Sequence, residues 1–135
     1  MKLAISEVFY SIQGEGRTTG SPSVFVRLGG CNLMCGGMGT QFDMELHNGA
    51  TWRCDTIEVW MKANQKSYEE ILDDECSTAL RNGAHLIITG GEPLLQTAAI
   101  EGFITYVKTQ LNPSIFVEIE TNGTIPPSKN LQDLV

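Results

Sequence analysis

Residues 85–93, His-Leu-Ile-Ile-Thr-Gly-Gly-Glu-Pro, constrain the fold of this chain more than any other stretch. Leu86, Ile87 and Ile88 form an apolar run without alternation, the pattern of a short strand covered on both faces. Gly90-Gly91 and Pro93 then turn the chain out of that strand. Helical patterns flank it. Ser67, followed by Glu70, is a capping-box signature, so a helix is expected from about Tyr68. Tyr68, Ile71, Leu72, Cys76, Ala79 and Leu80 share one face of it, and Asn82-Gly83 ends it. Beyond Pro93, Ile100, Phe103, Ile104, Val107 and Leu111 recur at helical spacing until Pro113.

Residues 24–28, Val-Phe-Val-Arg-Leu, and residues 115–121, Ile-Phe-Val-Glu-Ile-Glu-Thr, read as further strands, and residues 5–12 are β-prone. Strand, helix, strand, helix, strand predicts an α/β fold with a parallel sheet. Glycines at 29–30, 90–91 and 123 each follow the carboxyl end of a strand. Sites in such sheets lie at that edge, so these segments are expected on one rim. The last strand falls close to Val135. An unpaired parallel edge invites association, so the sheet is expected to be completed by another chain or by further sequence.

The chain has 135 residues and 41% apolar composition, enough for one domain with a real core. Its net charge is −7, from 16 acidic against 9 basic side chains, with no Lys/Arg cluster. That disfavours nucleic acid or an anionic membrane as partner. The apolar stretch at the amino terminus is too short for a signal peptide, and no run reaches membrane-spanning length. The cysteines form no even framework of the small secreted kind. A reducing cytoplasm is the expected home.

Cys31, Cys35 and Cys54 stand apart from Cys76, which lies on the apolar stripe of the capped helix and is expected to be core. Zinc favours two close pairs of ligands; here Cys31-x3-Cys35 is the one pair, Cys54 follows after 18 residues, and no histidine stands beside it at zinc spacing. Buried structural thiols explain poorly two cysteines flanking Asn32-Leu33-Met34 just past Gly29-Gly30. Three thiolates suit an iron–sulfur cube that keeps one iron open to a small molecule. Residues 36–53, with four glycines and no sustained period, read as a long loop.

Five segments occur in order: Phe9-Tyr10-Ser11-Ile12-Gln13-Gly14-Glu15-Gly16; Val26-Arg27-Leu28-Gly29-Gly30-Cys31-Asn32-Leu33-Met34-Cys35; Cys54-Asp55-Thr56; Ile88-Thr89-Gly90-Gly91-Glu92-Pro93-Leu94-Leu95-Gln96; and Glu120-Thr121-Asn122-Gly123-Thr124. Together they resemble the 7-carboxy-7-deazaguanine synthases, radical S-adenosylmethionine enzymes of deazapurine (queuosine-type) biosynthesis. The resemblance implies one radical-SAM domain over residues 1–135, a partial (βα) barrel truncated on its carboxyl-terminal side. The family spacing is Cys-x3-Cys-x2-Cys, so residues 36–53 read as an insertion in the cluster loop. Lengthening a loop from two to 18 residues costs only about 2 kcal/mol, because closure entropy grows with the logarithm of length.

By this resemblance Cys31, Cys35 and Cys54 hold a 4Fe-4S cluster, and Thr56 is a magnesium ligand. Asp55, Gly90, Gly91 and Glu92 contact S-adenosylmethionine, the two glycines admitting it where a Cβ would collide. Ile12, Gln13, Gly14, Glu15, Arg27, Thr89 and Glu120 bind the substrate, 6-carboxytetrahydropterin. Arg27, mid-strand among apolar neighbours, needs an anionic partner, and the substrate carboxylate can supply one. The implied activity is a carbon–nitrogen lyase reaction giving 7-carboxy-7-deazaguanine and ammonia, with an electron donor such as flavodoxin or ferredoxin and a homodimeric assembly. A glycyl-radical activase would share the superfamily motifs but lack the Ser-Ile-Gln-Gly-Glu-Gly and Glu-Thr-Asn-Gly-Thr pieces. A non-catalytic module binding cluster or pterin is the reading from another class.

Overall fold

The computed structural model describes residues 1–33, 35 and 53–135. The long loop expected over residues 36–53 therefore lies, except for Arg53, outside the described residues.

Among the described residues five strands form one sheet in the order β3-β1-β2-β4-β5. They are β1 (Lys2–Ile12), β2 (Pro22–Leu28), β3 (Asn64–Ser67), β4 (His85–Gly90) and β5 (Val117–Ile119). Among the described residues the α-helices are α1 (Ile57–Trp60), α2 (Tyr68–Ile71), α3 (Asp74–Arg81) and α4 (Thr97–Gln110), which lie between strands, and α5 (Lys129–Leu134), which follows β5. The α/β class is as expected, but the sheet is mixed. β2, β4 and β5 run parallel, whereas β1 is antiparallel to both β2 and β3. The reason is the connection. Residues 13–21 return the chain directly from β1 to β2, and so short a link closes a hairpin, while a parallel pair needs a crossover of a dozen residues or more. β3, Asn-Gln-Lys-Ser, is a polar, largely exposed edge strand that carried no apolar signal.

The predicted helix from Tyr68 to Leu80 is two helices. Glu70 accepts the Ser67 backbone N–H at 2.8 Å and the Ser67 hydroxyl at 2.9 Å, opening α2 as the capping box requires. Leu72 is then extended (φ −102°, ψ 127°), and the Asp73 side chain accepts the Cys76 N–H at 2.8 Å to start α3. Two N-caps in succession divide one apolar stripe. Cys76 lies in the core at 1% exposure, as its position on that stripe predicts.

One face of the sheet is covered by helices. Val24, Val26, Leu28, Leu86, Ile88 and Val117 point into that core, where Ile100, Phe103, Ile104 and Val107 of α4 meet them. Strand alternation sends the intervening residues to the opposite face. There the register aligns Phe9, Phe25, Ile87 and Glu118 in one row and Glu7, Arg27 and Thr89 in the next. No helix among the described residues is long and apolar enough to cross a membrane.

A candidate cluster-binding rim and cleft

The carboxyl ends of β2, β4 and β5 are laced together by hydrogen bonds between the predicted motifs. Gly91 N–H donates to the Leu28 carbonyl at 3.4 Å, and Glu92 N–H to the Gly30 carbonyl at 2.9 Å. The fully buried Glu92 carboxylate accepts the Leu94 N–H at 2.9 Å, the Thr121 hydroxyl at 2.8 Å and the Asn122 N–H at 2.7 Å. Asn122 in turn donates to Asn32 Oδ1 at 3.0 Å, and Asn32 to the Thr124 hydroxyl at 2.8 Å. The Gly-Gly-Glu-Pro turn, the first cysteine loop and the Thr-Asn-Gly-Thr turn thus form one connected rim.

Both glycines of that turn answer to β2. A Cβ on Gly90 would strike the Leu28 backbone, and one on Gly91 the Gly30 carbonyl and the Cys31 Cβ. Gly90 also holds φ +149°. The end of β2 and the loop after it thus crowd both glycines, and the Glu92 carboxylate is engaged within the rim. Glu92 is extended (φ −134°), as the following proline favours.

The four cysteines are free thiols, three of them partly exposed. Cys54 N–H donates to the Cys35 carbonyl at 3.1 Å, and the Cys54 thiol stands 3.4 Å from the Thr56 hydroxyl. Burial raises the Cys35 thiol above its ordinary value, and the neighbouring Cys54 and Cys31 add to the rise. Among the described residues no three His, Cys, Asp or Glu side chains converge tightly enough to share one metal ion. A soft, all-sulfur donor set, with Cys31 at the strand-end rim and Cys54 joined to Cys35 through the backbone, fits an iron–sulfur cluster in chemistry.

Beside the rim, on the face of the sheet opposite the helical core, lies a cleft of about 430 Å³. It is lined by all seven residues predicted to bind substrate: Ile12, Gln13, Gly14, Glu15, Arg27, Thr89 and Glu120. Asp55, Thr56 and Gly90 line it too, while Gly91 and Glu92 stand behind it in the rim. Its floor is Phe9 stacked on Phe25, with ring centroids 5.0 Å apart. Sequence reasoning missed both phenylalanines, because residues 8–10, Val-Phe-Tyr, are apolar at both parities and name no face. A larger open groove of about 590 Å³ lies between Tyr10, Pro22 and α3 and holds none of the predicted residues.

Two predicted contacts already have partners inside the chain. Arg27 Nε donates to Glu7 at 2.8 Å, and among the described residues its other guanidinium nitrogens make no hydrogen bond. Gln13 is buried at 2% exposure, its amide N–H groups donating to Glu118 at 3.1 Å and Glu120 at 3.2 Å.

Comparison with known proteins fits this geometry. Residues 12–125 match the model of the 4Fe-4S single cluster domain. The chain belongs to the 4Fe-4S single cluster domain family. It is 34% identical over 126 residues to the 7-carboxy-7-deazaguanine synthase of Rhodopirellula baltica, covering 93% of this chain and 40% of that protein. It is 37% identical over 133 residues to the synthase of Hyperthermus butylicus, covering 96% of this chain and 47% of the relative. The crystal structure of QueE from Escherichia coli superposes with a TM-score of 0.62 at 26% identity, covering 96% of this chain and 58% of that one. The chain thus spans about half the length of the relatives it matches.

Proposed function

We propose that this chain carries the cluster, S-adenosylmethionine and pterin sites of a 7-carboxy-7-deazaguanine synthase, a lyase that converts 6-carboxytetrahydropterin to 7-carboxy-7-deazaguanine and ammonia. One observation carries the reading: a single cleft, reached by Asp55 and Thr56 immediately after Cys54, gathers every residue expected to touch the pterin.

In this reading Cys31, Cys35 and Cys54 hold a 4Fe-4S cluster, and Asp55, Gly90, Gly91 and Glu92 border the S-adenosylmethionine beside it. When bound and reduced, the cluster and S-adenosylmethionine supply a carbon-centred radical able to abstract a hydrogen atom. The chain's own residues position and shield. Phe9 and Phe25 give a flat apolar floor for a fused ring. Glu15 and Glu120 offer carboxylate oxygens to ring amino protons, and Ile12, Gly14 and Thr89 line the edge. Arg27, steadied by Glu7 at Nε, keeps its terminal nitrogens for a bidentate grip on a carboxylate. Thr56 would offer its hydroxyl to a Mg²⁺ ion, whose charge would help hold the substrate carboxylate. Turnover of Thr56→Ala is then expected to lose its response to added magnesium, and overlapping titrations for variant and wild type would remove that role.

The five strands, on this reading, are the front of a partial (βα) barrel with the cleft inside it. A cytoplasmic setting, a flavodoxin- or ferredoxin-type donor and a homodimer belong to the same proposal. The test is anaerobic reconstitution followed by assay for 5′-deoxyadenosine. Formation that depends on the pterin supports the synthase. Formation that depends on a partner protein points to an activase, and none at all to a binding module.

A further inference from the structure

We propose that Glu118, on β5, is a positioning residue that clasps the loop of residues 13–20 across the cleft face of the sheet. The inference rests on the pterin reading for its consequence in binding, though not for its geometry. The loop joins β1 to β2, and β4 stands between β2 and β5, yet the loop is tied to β5 across 100 or more residues of sequence. Thr18 donates its hydroxyl to one Glu118 oxygen at 2.6 Å, and Gln13 donates its amide to the other at 3.1 Å. The second amide hydrogen of Gln13 goes to Glu120 at 3.2 Å. Among the described residues, these are the only side-chain hydrogen bonds from the loop to another element.

The register explains why Glu118 can do this. It stands in the row of Phe9, Phe25 and Ile87, on the same face as the cleft. Two carboxylates facing one primary amide also fix which way that amide turns, since the reverse orientation would set its carbonyl against them. The Gln13 oxygen is thereby turned to the loop, where it accepts the Glu15 N–H at 3.2 Å. Glu118 thus reaches the cleft through Gln13: it sets the backbone of residues 13–15, and with it the places of Gly14 and Glu15 in the cleft wall. The carboxylate is needed because it accepts two donors at once, which one amide oxygen does poorly.

Arg17 lies exposed inside the loop and provides a direct readout. Trypsin cleavage after Arg17 is followed in the wild type, Glu118→Gln, Thr18→Val and the double variant, each reconstituted with its cluster. Cleavage at Arg17 is expected to quicken roughly tenfold in either single variant, with no further gain in the double, while other sites keep their rates. The same variants are expected to bind 6-carboxytetrahydropterin roughly tenfold more weakly with their iron content unchanged. Wild-type cleavage rates at Arg17 in both single variants, or full pterin affinity despite faster cleavage, would overturn the proposal. A wild type that binds no pterin would overturn the substrate reading instead, leaving the protease comparison to decide the clasp.

Discussion

Burial on the core face of α3 pushes the Cys76 thiol up to about 12, with the hydrogen-bonded Asp73 adding to the rise. An unfolded thiol ionises near its ordinary value of 9.0. Between those values the unfolded state holds fewer protons than the folded one, so stability, complete below the lower value, falls as pH rises toward the upper. Urea unfolding at about pH 8 and about pH 11 is expected to show a larger loss for wild type than for Cys76→Ala. Equal losses would show that the thiol's burial contributes nothing to alkaline sensitivity. At the rim, Gly91→Ala forces a methyl against the Gly30 carbonyl and the Cys31 Cβ. It is expected to cost roughly 1–3 kcal/mol as overpacking, read as a lower urea midpoint. Glycine at this place was legible in the sequence. A second reason for it was not, because the groups that exclude a Cβ belong to the loop after β2, some sixty residues earlier.

At the scale of elements, the apolar stripe from Tyr68 to Leu80 announced helix and core but hid the break at Leu72. The stripe continues across that break, and only the capping chemistry of Asp73 marks it. Asp73→Ala is therefore expected to destabilise the fold by about 1 kcal/mol, measured by chemical denaturation, while an unchanged midpoint would deny Asp73 a capping role. β4 was the most legible strand, since three consecutive buried residues between two turns leave few alternatives. β3 was illegible because an exposed edge strand of Asn, Gln, Lys and Ser needs no apolar residue to pair with β1. The direction of β1 was also unreadable from its composition. It follows from the shortness of residues 13–21, which closes a hairpin.

Across the whole molecule, the gathering of distant motifs on one rim followed from strand topology alone, because parallel strands bring their carboxyl ends together. What joins those motifs did not follow. Glu92 binds β4 to the turn after β5 through a buried carboxylate that takes three separate donors. Glu92→Gln would set an amide N–H among those donors and is expected to cost about 2 kcal/mol. Because the same turn holds Asn32, the variant is also expected to slow cluster reconstitution; wild-type assembly kinetics would separate the rim from the thiols. The charged contacts of the cleft were similarly hidden. Arg27 and Gln13 were marked by type and setting, but their partners Glu7 and Glu118 depend on register that no short motif encodes.

The account depends most on three sulfurs sharing one inorganic centre at the strand-end rim. Iron and acid-labile sulfide, measured in anaerobically reconstituted wild type and Cys54→Ser, test it most directly. The wild type is expected to hold about four irons per chain with a brown sulfur-to-iron absorption, and Cys54→Ser is expected to lose both. Equal iron and equal colour in the two proteins would contradict it.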